Sequence, residues 1–169
     1  IMAENTYDAI VIGSGISGGW AAKELTEKGL KTIMLERGRN VEHIKDYVSA
    51  NKHPWEFPHR GGRTQQMIQD YPVLKRDYPL NETNLDFWVN EKDCPYTEIK
   101  RFDWFRGYHV GGRSLTWGRQ SYRLSQQDLK GRSFDGAGAD WPVNYDDLAP
   151  YYDIVERYVL ERVKFPWYI

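Results

Sequence analysis

The sequence predicts an α/β fold built on one strand–turn–helix–strand unit, and three observations carry that expectation. A short, almost wholly apolar run, Tyr7-Asp8-Ala9-Ile10-Val11-Ile12, ends in glycine. Three glycines, Gly13, Gly15 and Gly18, open a segment with helical periodicity directly after it. A second apolar run, Lys31-Thr32-Ile33-Met34-Leu35, is closed by Glu36. The unit, residues 7–38, fits inside the length of about 30 residues that a βαβ arrangement needs.

Each element has its own reason. A continuous apolar run of this length reads as a buried parallel strand. The helix sets Ala21, Ala22 and Leu25 on one face and Lys23, Glu24, Glu27 and Lys28 elsewhere. Gly29 is placed to stop it. From residue 39 to 104 the pattern changes to a long irregular excursion. Prolines at 54, 58, 72, 79 and 95 forbid long helices and central strands there. Short helices are expected near Val41–Ala50 and Thr64–Asp70. Trp55, Phe57, Tyr71, Tyr78, Phe87 and Trp88 recur without period, a content that argues against a disordered linker. Phe105–Val110 should return to the core in an extended form and lead into a glycine loop, residues 105–120. Gly136-Ala137-Gly138 is a turn before a corner at Asp140-Trp141-Pro142, and Asn144 can cap a last helix, the corner and helix together spanning residues 140–163. Asp146 and Asp147 suit the positive end of that helix's dipole. Leu148, Tyr151, Tyr152, Val155, Tyr158 and Val159 follow at helical spacing, which reads as core packing rather than a sugar platform.

Composition narrows the function. At 169 residues the chain suits one ordinary domain. With 23 basic and 24 acidic residues there is no electrostatic case for a nucleic-acid partner or an anionic membrane. Cys94 is the single cysteine, so no internal disulfide or CxxC metal or redox site exists, and His43, His53, His59 and His109 lack metal-ligand spacing. No apolar run approaches the roughly 20 residues of a membrane span, and no export signal is read in these residues. A mean hydropathy of -0.73 beside 15% aromatic residues suggests long polar excursions around a modest core, or a piece of something larger.

Gly13-Ser14-Gly15-Ile16-Ser17-Gly18 matches GxGxxG in the required context, after a strand and opening a helix. The first glycine permits a tight turn, the second lets backbone approach a pyrophosphate, and the third packs helix on strand. The phosphates would rest on the amides at the helix start, those of Ile16 and Ser17 among them. Glu36, with Arg37 beside it, is placed to accept from an adenosine ribose, and its charge disfavours the 2′-phosphate of NADP. FAD and NAD both use such a Rossmann-like unit; Gly38 after Glu36-Arg37 leans toward FAD. The plainer alternative is a glycine turn that binds nothing.

The stretches "YDAIVIGSGISGGWAAKELTEKGLKTIMLERG" and "GYHVGGRSLTWGRQSYRLS" resemble the N-terminal part of a glucose–methanol–choline (GMC) oxidoreductase. "PWEFPHRG", "FDWFRGYHVGGRSLTWGRQSYRLS" and "DWPVNYDDLAPYYDIVE" resemble more narrowly the bacterial glucoside 3-dehydrogenase branch. The likeness runs to about Tyr158. It implies a partial FAD-binding domain over residues 1–169, an incomplete GMC fold without its substrate domain, from a parent that oxidises sugars or glycosides. It implies that the loop lies along the flavin, with Gly111 and Gly112 allowing close approach, Ser114 and Thr116 giving short polar contacts and Trp117 an apolar wall. Some family members attach FAD through a histidine whose place, aligned on the glycine pair, is Thr116 here, so the resemblance implies noncovalent FAD.

His109 precedes the glycines and reads as structural, while Arg60, Arg63, Arg113 and Arg119 are second-rank candidates for phosphate or substrate. The family's proton-abstracting pair lies in the part not present, so no catalytic residue and no metal ligand is expected here. A haem electron acceptor, a small companion subunit and export with that subunit are implied by analogy alone; otherwise the location is cytoplasmic or open. A non-catalytic nucleotide-binding module, and more distantly an NAD-dependent dehydrogenase, remain as alternatives.

Overall fold

The computed structural model describes residues 6–118 and 120–162. Arg119 and the tail from 163 to 169, where the family likeness fades, lie outside the described residues. The chain divides into two compact units, residues 1–118 and 119–169.

The first unit opens with β1 (Ala9–Ile12), α1 (Ile16–Glu27) and β2 (Thr32–Leu35). The strands are parallel, with Ala9 beside Thr32 and Ile12 beside Leu35, joined by the crossover through α1. Gly29 ends α1 at φ 83°. Its N–H donates to the Thr26 carbonyl at 2.9 Å and that of Leu30 to Leu25 at 3.1 Å, the paired closure of a Schellman cap. The helix lies on the Val11 face of the sheet. A Cβ on Gly18 would come within 3.4 Å of the Val11 side chain, and Val11 is the one buried residue of β1.

Burial of these strands falls short of the sequence expectation. Side chains alternate across a strand, so Ile10 and Ile12 face away from α1, and they are 63% and 85% exposed. Two strands and one helix bury only one face of a sheet. Along α1 the half-buried positions are Gly18, Trp20, Ala22, Lys23 and Leu25, while Ala21 is exposed.

The excursion carries the core. Leu74, Leu80 and Trp88 form a buried cluster, with Tyr71, Leu85 and Phe105 packed against it. Its regular pieces are short: α2 (Gln65–Asp70) and 3₁₀ turns at Pro54–Glu56, Leu74–Arg76 and Leu85–Phe87. Thr64 caps α2, its hydroxyl accepting from Met67 N–H at 3.1 Å. The helix expected over Val41–Ala50 does not form; turns occupy it. Ile44 sits at φ 71°, which a right-handed helix cannot contain, and the Asp46 carboxylate takes the Glu42 N–H at 2.7 Å instead.

The second unit contains α3 (Gln126–Leu129), α4 (Gly131–Asp135) and α5 (Tyr145–Arg162). Ser125 and Asp128 form a capping box at α3, which buries Leu129. Asp140 holds the corner by accepting from the Ser133 N–H and hydroxyl, and Trp141 N–H donates to the Leu129 carbonyl at 2.8 Å. At α5 the Asp147 carboxylate accepts from Asn144 N–H, and the side-chain Oε1 of Gln126 from Tyr145 N–H. The cap is thus shared with Gln126, while the Asn144 side-chain oxygen accepts from Gln126 at 3.3 Å. Arg123 grips the exposed side of α5 through Asp153 at 2.6 Å and Glu156 at 2.5 Å. The core packing expected of this helix is only partial: Leu148, Tyr152 and Tyr158 are half-buried, but Tyr151, Val155 and Val159 are exposed. No helix among the described residues is long and apolar enough to cross a membrane.

Candidate functional site

The glycine turn after β1 is built to leave an open floor. Gly13 adopts φ 90°, and its N–H donates back to the Leu35 carbonyl at 2.8 Å, so the turn starts from the sheet itself. A Cβ on Gly18 would lie 1.9 Å from the Gly13 carbonyl oxygen, which only glycine avoids. Gly15 is different. Its backbone is ordinary, at φ -64°, and a Cβ there would meet nothing within 4 Å. Sterics within the chain therefore do not ask for glycine at 15; a group laid over that backbone would.

The helix start has the matching chemistry. Gly15 is the N-cap of α1, no side chain caps it, and no acidic residue stands in the first turn. The first amides of a helix, here those of Ile16, Ser17 and Gly18, have no intrahelical acceptor and carry the positive end of the dipole. Such a helix start suits an anion, and these amides would fit a dinucleotide pyrophosphate.

Glu36, just past the end of β2, closes one side. Its Oε2 accepts from the Ser14 N–H at 2.7 Å and the Ser14 hydroxyl at 2.5 Å, and its Oε1 from the Gly38 N–H at 2.8 Å. These donors, the Ser14 hydroxyl foremost, pull its carboxyl from the ordinary 4.5 down to about 2. Glu36 is an anion at any physiological pH, and it already holds the turn. Arg37 stacks on the Tyr108 ring, its guanidinium carbon 4.0 Å from the centroid.

The glycine loop arrives from far along the chain and lands on this turn. A parallel bridge joins Arg39 to His109, with Val110 N–H donating to the Arg39 carbonyl at 2.9 Å. Gly38 makes that approach possible, since a Cβ there would sit 2.0 Å from the His109 nitrogen. Gly111 then takes φ 90° and Gly112 φ 53°, opening a 3₁₀ turn over Gly112–Leu115. The Gly111 N–H donates to the Ser14 hydroxyl at 3.0 Å, and a Cβ on Gly112 would stand 3.2 Å from the Gly15 Cα. Ser114 and Thr116 are half-buried in this turn and Trp117 is 38% exposed. The Thr116 hydroxyl donates to the Arg113 carbonyl at 3.4 Å.

Two of the arginine candidates, Arg113 and Arg63, have structural partners. Arg113 donates to the Phe105 carbonyl at 3.2 Å and lies over the Trp88 ring, tying the loop to the excursion core. Arg63 donates to the Lys75 and Asp77 carbonyls. Arg60 occupies a left-handed backbone position at φ 55°. His109 is 2% exposed, with its ring edge-on to Phe87 at 5.6 Å, and neither ring nitrogen has a hydrogen-bond partner among the described residues. Among the described residues no group of His, Cys, Asp or Glu could hold a metal ion.

Two features went unread in the sequence. Ser14, between the first two glycines, is the residue that joins turn, acid and loop; a hydroxyl at that spot facing an acid after the second strand was the available signal. Trp104, Arg106 and Tyr108 alternate along an extended segment, and the buried Arg106 guanidinium stands 4.8 Å from Trp104 and 5.0 Å from Tyr96. Their period of two places them on one side, where they fix the path into the loop.

No family model matches the chain. It is 27% identical to the gluconate 2-dehydrogenase flavoprotein of Pantoea cypripedii over 89% of this chain and 24% of that protein. It is 27% identical to the fructose dehydrogenase large subunit of Gluconobacter japonicus, over 86% of this chain and 25% of the relative. The 6'''-hydroxyparomomycin C oxidase of Streptomyces lividus is 29% identical over 92% of this chain and 23% of its own length. The chain thus spans about a quarter of the length of these curated relatives.

Proposed function

We propose that this chain is the FAD-cradling portion of an oxidoreductase of the glucose–methanol–choline type that acts on CH–OH groups of sugars or glycosides. The observation that carries the reading is the landing of Gly111 and Gly112 on Ser14 and Gly15, which sets two glycine segments about one open stretch of backbone. The names of the similar proteins, one a flavoprotein and all dehydrogenases or oxidases, favour flavin over nicotinamide.

In this reading Gly13, Gly15 and Gly18 shape the floor, and the amides of Ile16 and Ser17 hold the pyrophosphate. Glu36 accepts from the adenosine ribose, with Arg37 alongside. Gly111, Gly112 and the Ser114 and Thr116 hydroxyls meet the cofactor from the loop, and Trp117 screens it from water. Bound FAD would supply the hydride acceptor for alcohol oxidation. Threonine at 116 offers no ring nitrogen for attachment, so FAD is held noncovalently and should leave with acid or heat denaturation. Removal of the hydroxyl proton falls to residues outside this chain, and the glucoside 3-dehydrogenase branch is the narrower assignment. A companion subunit and a haem acceptor are proposed for the parent by the same analogy.

Flavin absorbance tests it. Gly15→Val should fold, because its side chain meets only open space, yet lose bound FAD to collision with the pyrophosphate. Equal flavin content in the variant and the wild type would refute the assignment.

A further inference from the structure

We propose that Ser14 is a positioning residue whose hydroxyl clasps the glycine loop to the ribose acid, so that the loop side of the cofactor's cradle is set by one hydroxyl. This rests on the nucleotide reading above. The directions of the bonds are forced. An amide N–H can only donate and an ionised carboxylate can only accept, so the Ser14 hydroxyl accepts from Gly111 and donates to Glu36. A hydroxyl that does both at once polarises along the chain, and a charged terminus makes each bond stronger than a neutral one.

Counting acceptor sites adds a consequence. A carboxylate offers about four lone-pair sites. The Ser14 N–H and hydroxyl take two on Oε2, and the Gly38 N–H takes one on Oε1. Oε2 therefore serves Ser14, and the less crowded Oε1, with the Gly38 N–H and the Arg37 backbone beside it, is the oxygen that would meet a ribose hydroxyl. The loop's other contact with the turn is the packing of Gly112 on Gly15, one residue further along. Without the Ser14 hydroxyl the Gly111 N–H loses its acceptor, and the loop keeps its bridge to Arg39 and the Gly112 packing but no hydrogen bond to the turn from Gly111. A Glu36 contact to the ribose would survive, because Oε1 and its Gly38 donor are untouched by the change.

ADP and FAD separate the two halves, since ADP has the ribose and pyrophosphate without the flavin. Binding of each is measured by calorimetry to the wild-type chain, Ser14→Ala and Ser14→Thr, with Gly111 amide exchange followed by NMR without ligand. Ser14→Ala should weaken FAD by about tenfold, the scale of one charge-linked hydrogen bond, and leave ADP within about twofold. It should also speed Gly111 exchange, and Ser14→Thr, which keeps a hydroxyl, should restore both. Equal losses for FAD and ADP, or Gly111 exchange unchanged by Ser14→Ala, would overturn the proposal while the nucleotide reading stands. A wild-type chain that binds neither ligand would remove the nucleotide reading itself; faster Gly111 exchange would then mark Ser14 as a structural clasp only, and the positioning role would go too.

Discussion

Residues 7–38 and residues 39–104 are held together in opposite ways. The first stretch is regular almost throughout, yet α1 buries no residue and the sheet leaves Ile10 and Ile12 in the open. The second has one short α-helix and three single turns, yet Leu74 and Leu80 are fully buried and Trp88 nearly so. Hydrogen bonding shapes the one; apolar burial stabilises the other. Regular structure and stability therefore sit in different parts of the same unit, and the part with the recognisable motif leans on the part without one.

The largest effect should come from the irregular side. Leu74→Ala removes a fully buried side chain, and such changes cost about 2–5 kcal/mol. Ile12→Ser, in the regular strand but 85% exposed, should stay within about 0.5 kcal/mol. Urea denaturation of both variants compares them directly, and equal losses would erase the contrast.

A smaller effect separates two glycines inside the regular stretch. Gly18→Ala drives a methyl group into the Gly13 carbonyl and should cost about 1–3 kcal/mol as the turn is pushed apart. Gly15→Ala has free space and should leave stability nearly unchanged. Thermal melts of the pair decide it; a destabilised Gly15→Ala would mean that the chain itself, rather than a ligand, requires that glycine.

The smallest expected effect is a pH dependence. The Glu36 carboxyl is depressed in the fold, so its contribution is complete above its ordinary 4.5 and is lost as pH falls through about 2. Glu36→Gln should flatten the acid limb of stability between those values and leave the neutral side without a new pH trend. An unchanged acid limb would show that the Ser14 and Gly38 donors do not select the anion.

Much of the regular stretch was legible because its signals are local. Three glycines at fixed spacing and Gly29 at the helix end each act on near neighbours, and Glu36 follows directly on the second strand. The excursion resisted because its structure depends on distant packing. Nothing near Ile44 signals a left-handed backbone, and a run from Val41 to Ala50 with good helix formers becomes turns. Apolar strands implied burial because composition records what a side chain prefers, while the number of layers around it is a property of the assembly. The loop's glycines could be picked out in the sequence, but their landing point at Ser14 and Gly15 depends on a path through some 97 residues.

That span also sets an order of assembly. Closing a long loop costs chain entropy before its contact returns anything, and distant pairings are slow to form. The excursion collapses on near neighbours around Leu74 and Leu80, which brings its two ends together and shortens the remaining search. We expect the Asp77 amide, which donates to the Leu74 carbonyl at 2.8 Å, to gain protection before that of Gly111 in pulsed hydrogen exchange during refolding; simultaneous protection would contradict this. On that order a newly made chain would have its glycine turn before its opposing wall, and the excursion would act as a built-in delay on when the cradle becomes whole.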